Sequence, residues 1–257
     1  MLEIRDASFS YGSRRVLDGA SLSVASGEFT AVLGANGAGK STLLKVASGL
    51  ERPSSGSVAI SGRDVGSYSP RGLAKIRAVL EQEPEFCFDS TVLETALLGR
   101  YVYGGFSASC ADVEIARQCL ALAGLSGFEG RLYTRLSGGE KRRVQLARAL
   151  AQIGPECSGK LLLLDEPSAG LDPAHAHLIL AAARSLASRG CAVVAVLHDP
   201  NLAAAYADRI ALMKSGRVTA CAPAREAMDA GLLGETYGIP CRIISDGGSN
   251  FALFQRR

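Results

Sequence analysis

The feature that most constrains the fold is a glycine-rich run between a strand pattern and a helix pattern. Residues 27–33, GEFTAVL, turn at a glycine and then alternate apolar side chains, which predicts a strand. GANGAGKST follows at 34–42, and KSTLLKVASGL then has the apolar spacing of a helix that ends at Gly49. A strand, a glycine turn and a helix in this order predict an α/β fold.

Two later segments strengthen the α/β prediction. KLLLLDEP and CAVVAVLHD, at 160–167 and 191–199, are continuous apolar strands, which are typical of a parallel sheet covered on both faces. Between them HLILAAARSLASRG predicts a helix, and DRIALMKSGRVTA at 208–220 predicts a strand hairpin. Strands that alternate with helices indicate an α/β core, and the mostly helical stretch near 85–153 reads as an insert into it.

The composition is that of an ordinary soluble chain. Of 257 residues, 47% are apolar and 21% charged, and the net charge of +3 is spread along the sequence, which argues against a nucleic-acid partner. The seven cysteines form no CxxC pair, so we expect reduced thiols rather than a zinc site or disulfides. We expect no signal peptide, because the N-terminus MLEIRDASFS carries charge at once and has no apolar core, and no membrane span, because no apolar run approaches about 20 residues.

The glycine run has the residues of a phosphate-binding loop. Gly34, Gly39, Lys40 and Ser41 satisfy the pattern GxxxxGK[ST], and the run lies between a strand and a helix as that pattern requires. Glycines let backbone N–H groups converge on phosphate oxygens, and the positive end of the helix points at them. Lys40 would reach the outer phosphates and Ser41 would ligate Mg²⁺. This loop alone leaves kinase, GTPase and ATPase open.

Acidic residues at the next strand end narrow these alternatives. Asp165 and Glu166 follow a buried strand, where the first suits Mg²⁺ coordination and the second suits a base that polarises water. We find no NKxD-like guanine reader, which favours an ATPase. His198 ends a neighbouring strand and is expected near both carboxylates, whereas His175 and His177 read as surface residues.

A second candidate anion grip lies about a hundred residues after the first. Ser137-Gly138-Gly139-Glu140 fits the capping box S-x-x-E ahead of an amphipathic helix. Two glycines in the box argue against simple capping, because each lowers helix stability. They favour close approach of the backbone to a ligand, and Ser137 could not then also cap its own helix.

LSGGE at 136–140, the phosphate loop, LLLLDEP and the later histidine, in this order, resemble the ATP-binding subunit of an ABC transporter. The resemblance covers essentially the whole chain. It implies a P-loop ATPase core with an N-terminal antiparallel β subdomain, at about 1–84 and 154–257, and an inserted helical subdomain at about 85–153. It also implies that two copies sandwich two ATP molecules head to tail, each lending its LSGGE segment to the other.

The resemblance assigns roles to individual residues. It implies that Tyr11 stacks on adenine, for which a core tyrosine is the alternative, and that Gln82 contacts Mg²⁺ and water and signals to the membrane subunit. It implies that Glu166 is the general base, that His198 senses the γ-phosphate, and that Asp172 joins the two sites. The implied metal ligands are Ser41, Gln82 and Asp165. The implied ATP contacts are Tyr11, Gly34, Asn36, Gly37, Ala38, Gly39, Lys40, Ser41, Thr42, Ser137, Gly138, Gly139, Glu140 and Asp172.

Finer features are similar to the importer group that serves iron chelates, cobalamin and heme. TVLETALLGR at 91–100 and VLHDPNLAAAYADRIALMKSGRV at 196–218 carry this similarity, and FEGRLY ahead of LSGGE favours heme over vitamin B12 or a ferric siderophore. The implied partners are a second copy, a transmembrane permease and, indirectly, a substrate-binding protein, at the cytoplasmic side of the cell membrane. Pro200, where that group has leucine, puts the turn behind His198 in question.

The segment 83–103 is the expected permease contact. Its aromatic residues, which could contact the permease, are Phe86, Phe88, Tyr101 and Tyr103. Packing in the protein core is the alternative for each of them. The rival class is a soluble ABC protein of DNA repair or translation, which would carry coiled-coil inserts, zinc motifs or two cassettes. A regulatory module without catalysis is a third hypothesis, disfavoured by Glu166 and His198.

Overall fold

The computed structural model describes residues 1–81, 89–104 and 107–255. Its strands in chain order are β1 Leu2–Tyr11, β2 Arg14–Val24, β3 Phe29–Gly34, β4 Ser55–Ile60, β5 Arg63–Asp64, β6 Arg77–Leu80, β7 Leu161–Asp165, β8 Ala192–Val196, β9 Arg209–Lys214, β10 Arg217–Pro223, β11 Cys241–Asp246 and β12 Ser249–Phe254. Its α-helices are α1 Lys40–Ser48, α2 Pro70–Ile76, α3 Val92–Leu97, α4 Tyr101–Gly104, α5 Cys110–Leu122, α6 Gly138–Ile153, α7 Pro173–Ser188, α8 Pro200–Tyr206, α9 Ala224–Ala227 and α10 Ala230–Tyr237.

A six-stranded sheet in the order β10-β9-β3-β8-β7-β6 forms the centre of the fold. All of its strands run parallel except β10, which pairs antiparallel with β9 as the predicted hairpin. In register, Val32 of β3 lies opposite Val196 of β8 and Ala211 of β9. The carboxyl ends of β3, β8 and β7 therefore lie side by side at one edge of the sheet, where α/β folds bind ligands.

The two faces of this sheet pack into two separate hydrophobic cores. Leu161 and Leu163 of β7 point into a core shared with β1, β2, β4 and α1, whereas Leu162 and Leu164 point into the core under the other helices. The alternation predicted for β3 is incomplete, since all six of its residues are buried, Thr30 and Val32 included. A parallel strand covered on both faces has no solvent side for alternation to mark.

A four-stranded antiparallel sheet in the order β2-β1-β4-β5 covers one face of the central sheet. Helix α1 is buried along most of its length and belongs to the core between the two sheets. It ends at Gly49, which is left-handed with φ of 77° and receives the chain as a C-cap, as the sequence predicted. This packing holds the start of α1 at the edge where the parallel strands end.

Helices α3, α5 and α6 lie between β6 and β7 in the chain and pack on one another. Arg100 ties them together, because it pairs with Asp112 of α5 at 2.9 Å and donates to the carbonyl of Ala151 in α6 at 2.8 Å. Three helices here start with the same reciprocal capping box, formed by Thr91 with Glu94, Ser109 with Asp112, and Ser137 with Glu140.

The C-terminal segment adds helix α10 and the hairpin β11–β12, for which the sequence analysis made no prediction. Asn201 of α8 fixes the hairpin by donating to the carbonyl of Ala252 and accepting from its N–H, at 3.3 and 2.8 Å. Among the described helices, none has the length and apolar character that crossing a bilayer requires.

Candidate nucleotide site

A pocket of about 520 Å³ opens where β3, β7 and β8 end. It is lined by residues from the phosphate loop, from the strand ends and from the first β-sheet: Tyr11, Arg14, Val16, Asn36, Gly37, Gly39, Lys40, Ser41, Thr42, Glu166 and His198. The structure thus brings Tyr11, Glu166 and His198, which lie far apart in sequence, to one cavity beside the glycine run.

Backbone packing explains why glycines occupy the loop. A Cβ at Gly34 would lie 2.3 Å from the carbonyl oxygen of Met213, and one at Gly39 would lie 2.8 Å from that of Val16. Gly37 is left-handed with φ of 79°, and no atom lies within 4 Å of where its Cβ would be. The loop is therefore closely backed by protein on one side and open on the other, with the N-terminus of α1 facing the opening. Among the described residues, no side chain caps that helix end, which leaves its N–H groups available to an anion.

Lys40 is only 6% exposed, and its ammonium is folded back onto the loop. Nζ donates to the carbonyls of Gly34 at 2.8 Å and Ala35 at 3.1 Å. Burial lowers the pKa of Lys40, while the carboxylates of Glu166 and Asp165 act in the opposite direction. A desolvated cation held by carbonyl oxygens is well suited to exchange them for phosphate oxygens.

Ser41 and Asp165 form a direct link between α1 and the end of β7. Ser41 Oγ donates to Asp165 Oδ1 at 3.0 Å. Burial raises the pKa of Asp165, and the hydrogen bond from Ser41 partly offsets that effect. A hydroxyl and a carboxylate at this separation fit the oxygen ligands that Mg²⁺ prefers. Within the described ranges, no three His, Cys, Asp or Glu side chains are grouped to hold a metal.

Glu166 and His198 form a close pair above the phosphate loop. His198 Nε2 lies 2.6 Å from Glu166 Oε1, and the Glu166 side chain is 15% exposed against 46% for His198. Glu166 has φ of 50°, a left-handed conformation that costs a non-glycine residue roughly 1–3 kcal/mol and is common at functional sites. The turn ends the strand and carries the carboxylate into the pocket, where a base must lie.

Tyr11 lies at the mouth of the same pocket. It is 45% exposed and meets Phe9 edge to face, with ring centroids 4.9 Å apart. This exposure excludes the core-tyrosine alternative and leaves the ring accessible for stacking.

Ser137 and Gly138, at the start of α6, are exposed and lie outside the pocket of their own chain. Ser137 Oγ accepts from the N–H of Glu140 at 3.3 Å, and the Glu140 carboxylate accepts from the N–H of Ser137 at 2.8 Å. The backbone N–H of Ser137 is the main cause of the lowered pKa of Glu140. Ser137 therefore caps α6 in this structure, and the prediction that the two glycines disfavour capping is wrong, because both reciprocal bonds form around them.

The other sequence-predicted residues have varied surroundings. Gln82, like Phe86 and Phe88, lies outside the described residues. Asp172 caps α7 by accepting from the N–H of His175, and it also pairs with the His175 ring. His177 Nδ1 lies 2.7 Å from the hydroxyl of Tyr206. Tyr101 is 45% exposed, but Tyr103 donates to the carbonyl of Gln152 at 2.7 Å and is partly buried.

Two features near the site go beyond the sequence analysis: the effect of Pro200, which was left in question, and the contacts of Arg142, for which there was no prediction. Pro200 is the first residue of α8, a position whose N–H has no helical partner, so the proline disturbs no bond behind His198. Arg142 of α6 donates to the carbonyls of Asp165 and Glu166. An arginine in an amphipathic helix gives no signal of these contacts, because they are made to backbone carbonyls that are distant in the sequence.

The glycine loop between β3 and α1, with carboxylates at the end of β7, defines the class of P-loop nucleotide hydrolases. The sequence model of the ABC transporter family matches residues 17–169, and the chain belongs to this family as an ATP-binding, ATP-hydrolysing subunit. A hemin import ATP-binding protein HmuV from Gloeobacter violaceus is 48% identical over 85% of this chain and 80% of its own length. A protein of the same name from Chelativorans sp. is 40% identical over 99% and 98%.

Solved structures of ABC ATPases are similar throughout. One is a transporter described as of the metal-chelate type, in an inward-facing conformation, with a TM-score of 0.80, 28% identity, and coverage of 99% of this chain and 96% of that one. Another is the dimeric ATP-binding cassette MJ0796 in a post-hydrolysis state bound to ADP and Pi, with a TM-score of 0.77, 29% identity, and coverage of 88% and 99%. The predicted fold class is confirmed.

Proposed function

We propose that this chain is the ATPase of an importer for hemin and that it works as a head-to-tail dimer against a transmembrane permease. The observation that carries the ATPase part is the Glu166–His198 pair, 2.6 Å apart, over a glycine loop with an uncapped helix start. The cargo rests on relatives: those 40–48% identical over most of the chain are named as hemin import proteins.

The proposed chemistry follows from the positions of the charged groups. Glu166 accepts the proton of the attacking water, and His198, which contacts this carboxylate from the neighbouring strand end, senses the γ-phosphate. Lys40 leaves the carbonyls of Gly34 and Ala35 and neutralises charge on the outer phosphates. Tyr11 stacks on the adenine at the pocket mouth, while residues 34–42 hold the phosphates.

Ser41 and Asp165, together with Gln82, are the proposed holders of Mg²⁺. The 3.0 Å hydrogen bond between Ser41 and Asp165 supports this, since both oxygens already face one point. When bound, the ion would neutralise charge that builds on the phosphate oxygens.

The head-to-tail dimer explains why Ser137 and Gly138 are exposed and away from the pocket of their own chain. In this arrangement Ser137, Gly138, Gly139 and Glu140 close over the nucleotide of the partner copy, and Asp172 lies between the two sites. The helical subdomain at about 85–153 then moves against the remaining chain as the dimer closes. ATP drives this motion only if it binds the closed dimer more tightly than the open one.

The permease is proposed to contact the segment 83–103, which directly follows Gln82. Of its described aromatic residues, Tyr101 is exposed and available, whereas Tyr103 is engaged with Gln152 within the chain. The subunit would lie at the cytoplasmic side of the membrane, held there by the permease, and a substrate-binding protein would deliver cargo from the other side.

Hemin import can be tested by reconstitution. The chain would be co-purified with a permease encoded beside its gene and placed in proteoliposomes with ATP, and uptake of hemin, vitamin B12 and a ferric siderophore would be compared. We expect ATP-dependent accumulation of hemin alone, and none with Glu166→Gln. Transport of either of the other chelates instead would overturn the cargo, and full hydrolysis by a strictly monomeric preparation would overturn the shared active site.

A further inference from the structure

Arg142 bridges the helical insert to the catalytic edge of the central sheet. It lies on α6, one and a half turns after Ser137, and its guanidinium points at the ends of β6 and β7. Nη2 donates to the carbonyls of both Asp165 and Glu166, and Nη1 donates to the carbonyl of Glu81 at 3.4 Å. Glu81 directly follows β6, which pairs in parallel with β7.

The bonds from Nη2 are possible only because the chain turns at Glu166. Successive carbonyls of a strand point in opposite directions, so two of them cannot normally reach one nitrogen. Here Glu166 has φ of 50°, and the turn brings its carbonyl round beside that of Asp165. The cation therefore lies where it stabilises the less favourable backbone conformation and, through it, the direction of the Glu166 carboxylate.

We infer that Arg142 is a positioning residue for Glu166: it holds the left-handed turn that aims the base into the pocket. This inference rests on the proposed role of Glu166 in ATP hydrolysis and deepens it. In the head-to-tail dimer, α6 presents Ser137 to the nucleotide of the partner copy while Arg142 holds the base for the nucleotide of its own chain. One helix thus connects the two ATP sites. Engagement of the LSGGE segment at one site is therefore transmitted to the base at the other.

The alternative is that Arg142 merely fastens the insert to the core. The next residue offers a matched control, because Arg143 is also on α6 and also donates to carbonyls. Its partners are Ala123 at 3.4 Å and Gly124 at 2.8 Å, after α5 and within the insert. Replacing Arg143 removes a buried cation and its carbonyl bonds without touching the turn at Glu166.

The experiment compares steady-state ATP hydrolysis by the full chain carrying Arg142→Met, Arg142→Lys or Arg143→Met. Each rate is divided by the concentration of sites that bind a fluorescent ATP analogue. For Arg142→Met we expect kcat to fall by about tenfold or more while KM for ATP stays within about threefold, because the phosphate loop is intact. Arg142→Lys should recover most of kcat, since a single ammonium can reach two carbonyls that converge on one nitrogen. Arg143→Met should lower the melting temperature but keep kcat within about twofold.

A double-mutant cycle separates positioning from fastening. If Arg142 acts through Glu166, adding Arg142→Met to Glu166→Gln should change single-turnover hydrolysis by less than about threefold. An undiminished loss in that background, a wild-type kcat for Arg142→Met, or no recovery with Arg142→Lys would each overturn the inference. Should Arg142→Met not fold, Arg142→Gln replaces it in the same cycle. Failure of the unsubstituted chain to hydrolyse ATP would instead refute the proposed function.

Discussion

Nε2 of His198 lies 2.6 Å from Oε1 of Glu166, so residues that follow two neighbouring strands meet above the phosphate loop. The strand order makes this contact, because β8 lies between β3 and β7 in the sheet. Asp165 pairs with Val196, and the N–H of Glu166 continues the ladder to the carbonyl of Val196 at 3.2 Å. Glu166 and His198 therefore each follow a strand that is buried along its whole length.

Replacing Glu166 with Gln should remove the base and keep the shape of the site. We expect hydrolysis to fall by roughly 10²–10⁴, the usual contribution of a positioned base, with ATP still bound and the dimer trapped. Phosphate release and the amount of nucleotide retained after gel filtration would be measured. Glu235→Gln is the control, because Glu235 is exposed and pairs only at the surface with Lys214, at 3.3 Å. Unchanged turnover in Glu166→Gln would refute the role of the base.

Ser137 can be tested against a second serine in the same structural position. Ser109 caps α5 with the same reciprocal box and does not line the nucleotide pocket. Replacing either serine with Ala should cost about 1 kcal/mol of stability. Only Ser137→Ala should also lower ATP hydrolysis, by about tenfold or more. Of the two serines, Ser137 alone would contact the nucleotide of the partner copy. Equal rates in the two variants would mean that Ser137 is a cap and nothing more.

Asp165→Asn should stabilise the nucleotide-free chain at neutral pH. Burial raises the folded-state pKa of Asp165 above its ordinary value of 3.8, so the folded state holds the proton more tightly than the unfolded chain. The tighter proton binding by the folded state contributes to its stability. This contribution is complete below pH 3.8 and is lost as pH rises through the raised pKa. The ionised carboxylate therefore opposes folding at pH 7, whereas an amide would still accept from Ser41.

The test of Asp165 is thermal unfolding of both proteins between about pH 4 and 7 in the presence of a chelator. The melting temperature of Asp165→Asn should exceed that of the unsubstituted chain at pH 7, and the difference should shrink toward pH 4. A difference that does not vary with pH would contradict the expected titration. ATP hydrolysis by Asp165→Asn should be slower than that by the unsubstituted chain, because a proposed Mg²⁺ ligand is lost.

Pro200→Ala should leave catalysis unchanged. Pro200 occupies the first position of α8, where its fixed φ suits the helix and its missing N–H has no helical partner. Removing it should therefore lower stability by about 0.4–1 kcal/mol through the entropy of the unfolded chain, with kcat unaltered. Urea unfolding and ATP hydrolysis measure the two quantities. A change in kcat beyond about twofold would show that the proline does shape the turn behind His198.

Local patterns were sufficient to predict the α/β core. The strand at 161–165, the strand at 192–196 and the helix that starts at Lys40 each carry a periodicity or a cap that a short window contains. The antiparallel hairpin β11–β12 was not predicted, because its exposed strand faces and its attachment through Asn201 depend on tertiary contacts. The conformation of β3 was only half predicted, since burial on both faces follows from its place in the sheet.

The nucleotide site also has features that local sequence predicts and features that depend on tertiary structure. Glycine spacing and strand-end carboxylates are visible in sequence, so residues 34–42, Asp165 and Glu166 could be predicted to lie near one another. The left-handed turn at Glu166 and the carbonyl contacts of Arg142 could not, because they depend on backbone direction rather than residue type. The capping box at Ser137 was underrated, since the cost of two glycines is an average that a good reciprocal pair outweighs.

The resting position of Lys40 has a consequence for how nucleotide arrives. With its ammonium bound to the carbonyls of Gly34 and Ala35, the lysine ties the end of the glycine run to its beginning and holds the loop in shape. Binding then exchanges one set of oxygens for another and needs little refolding of the loop.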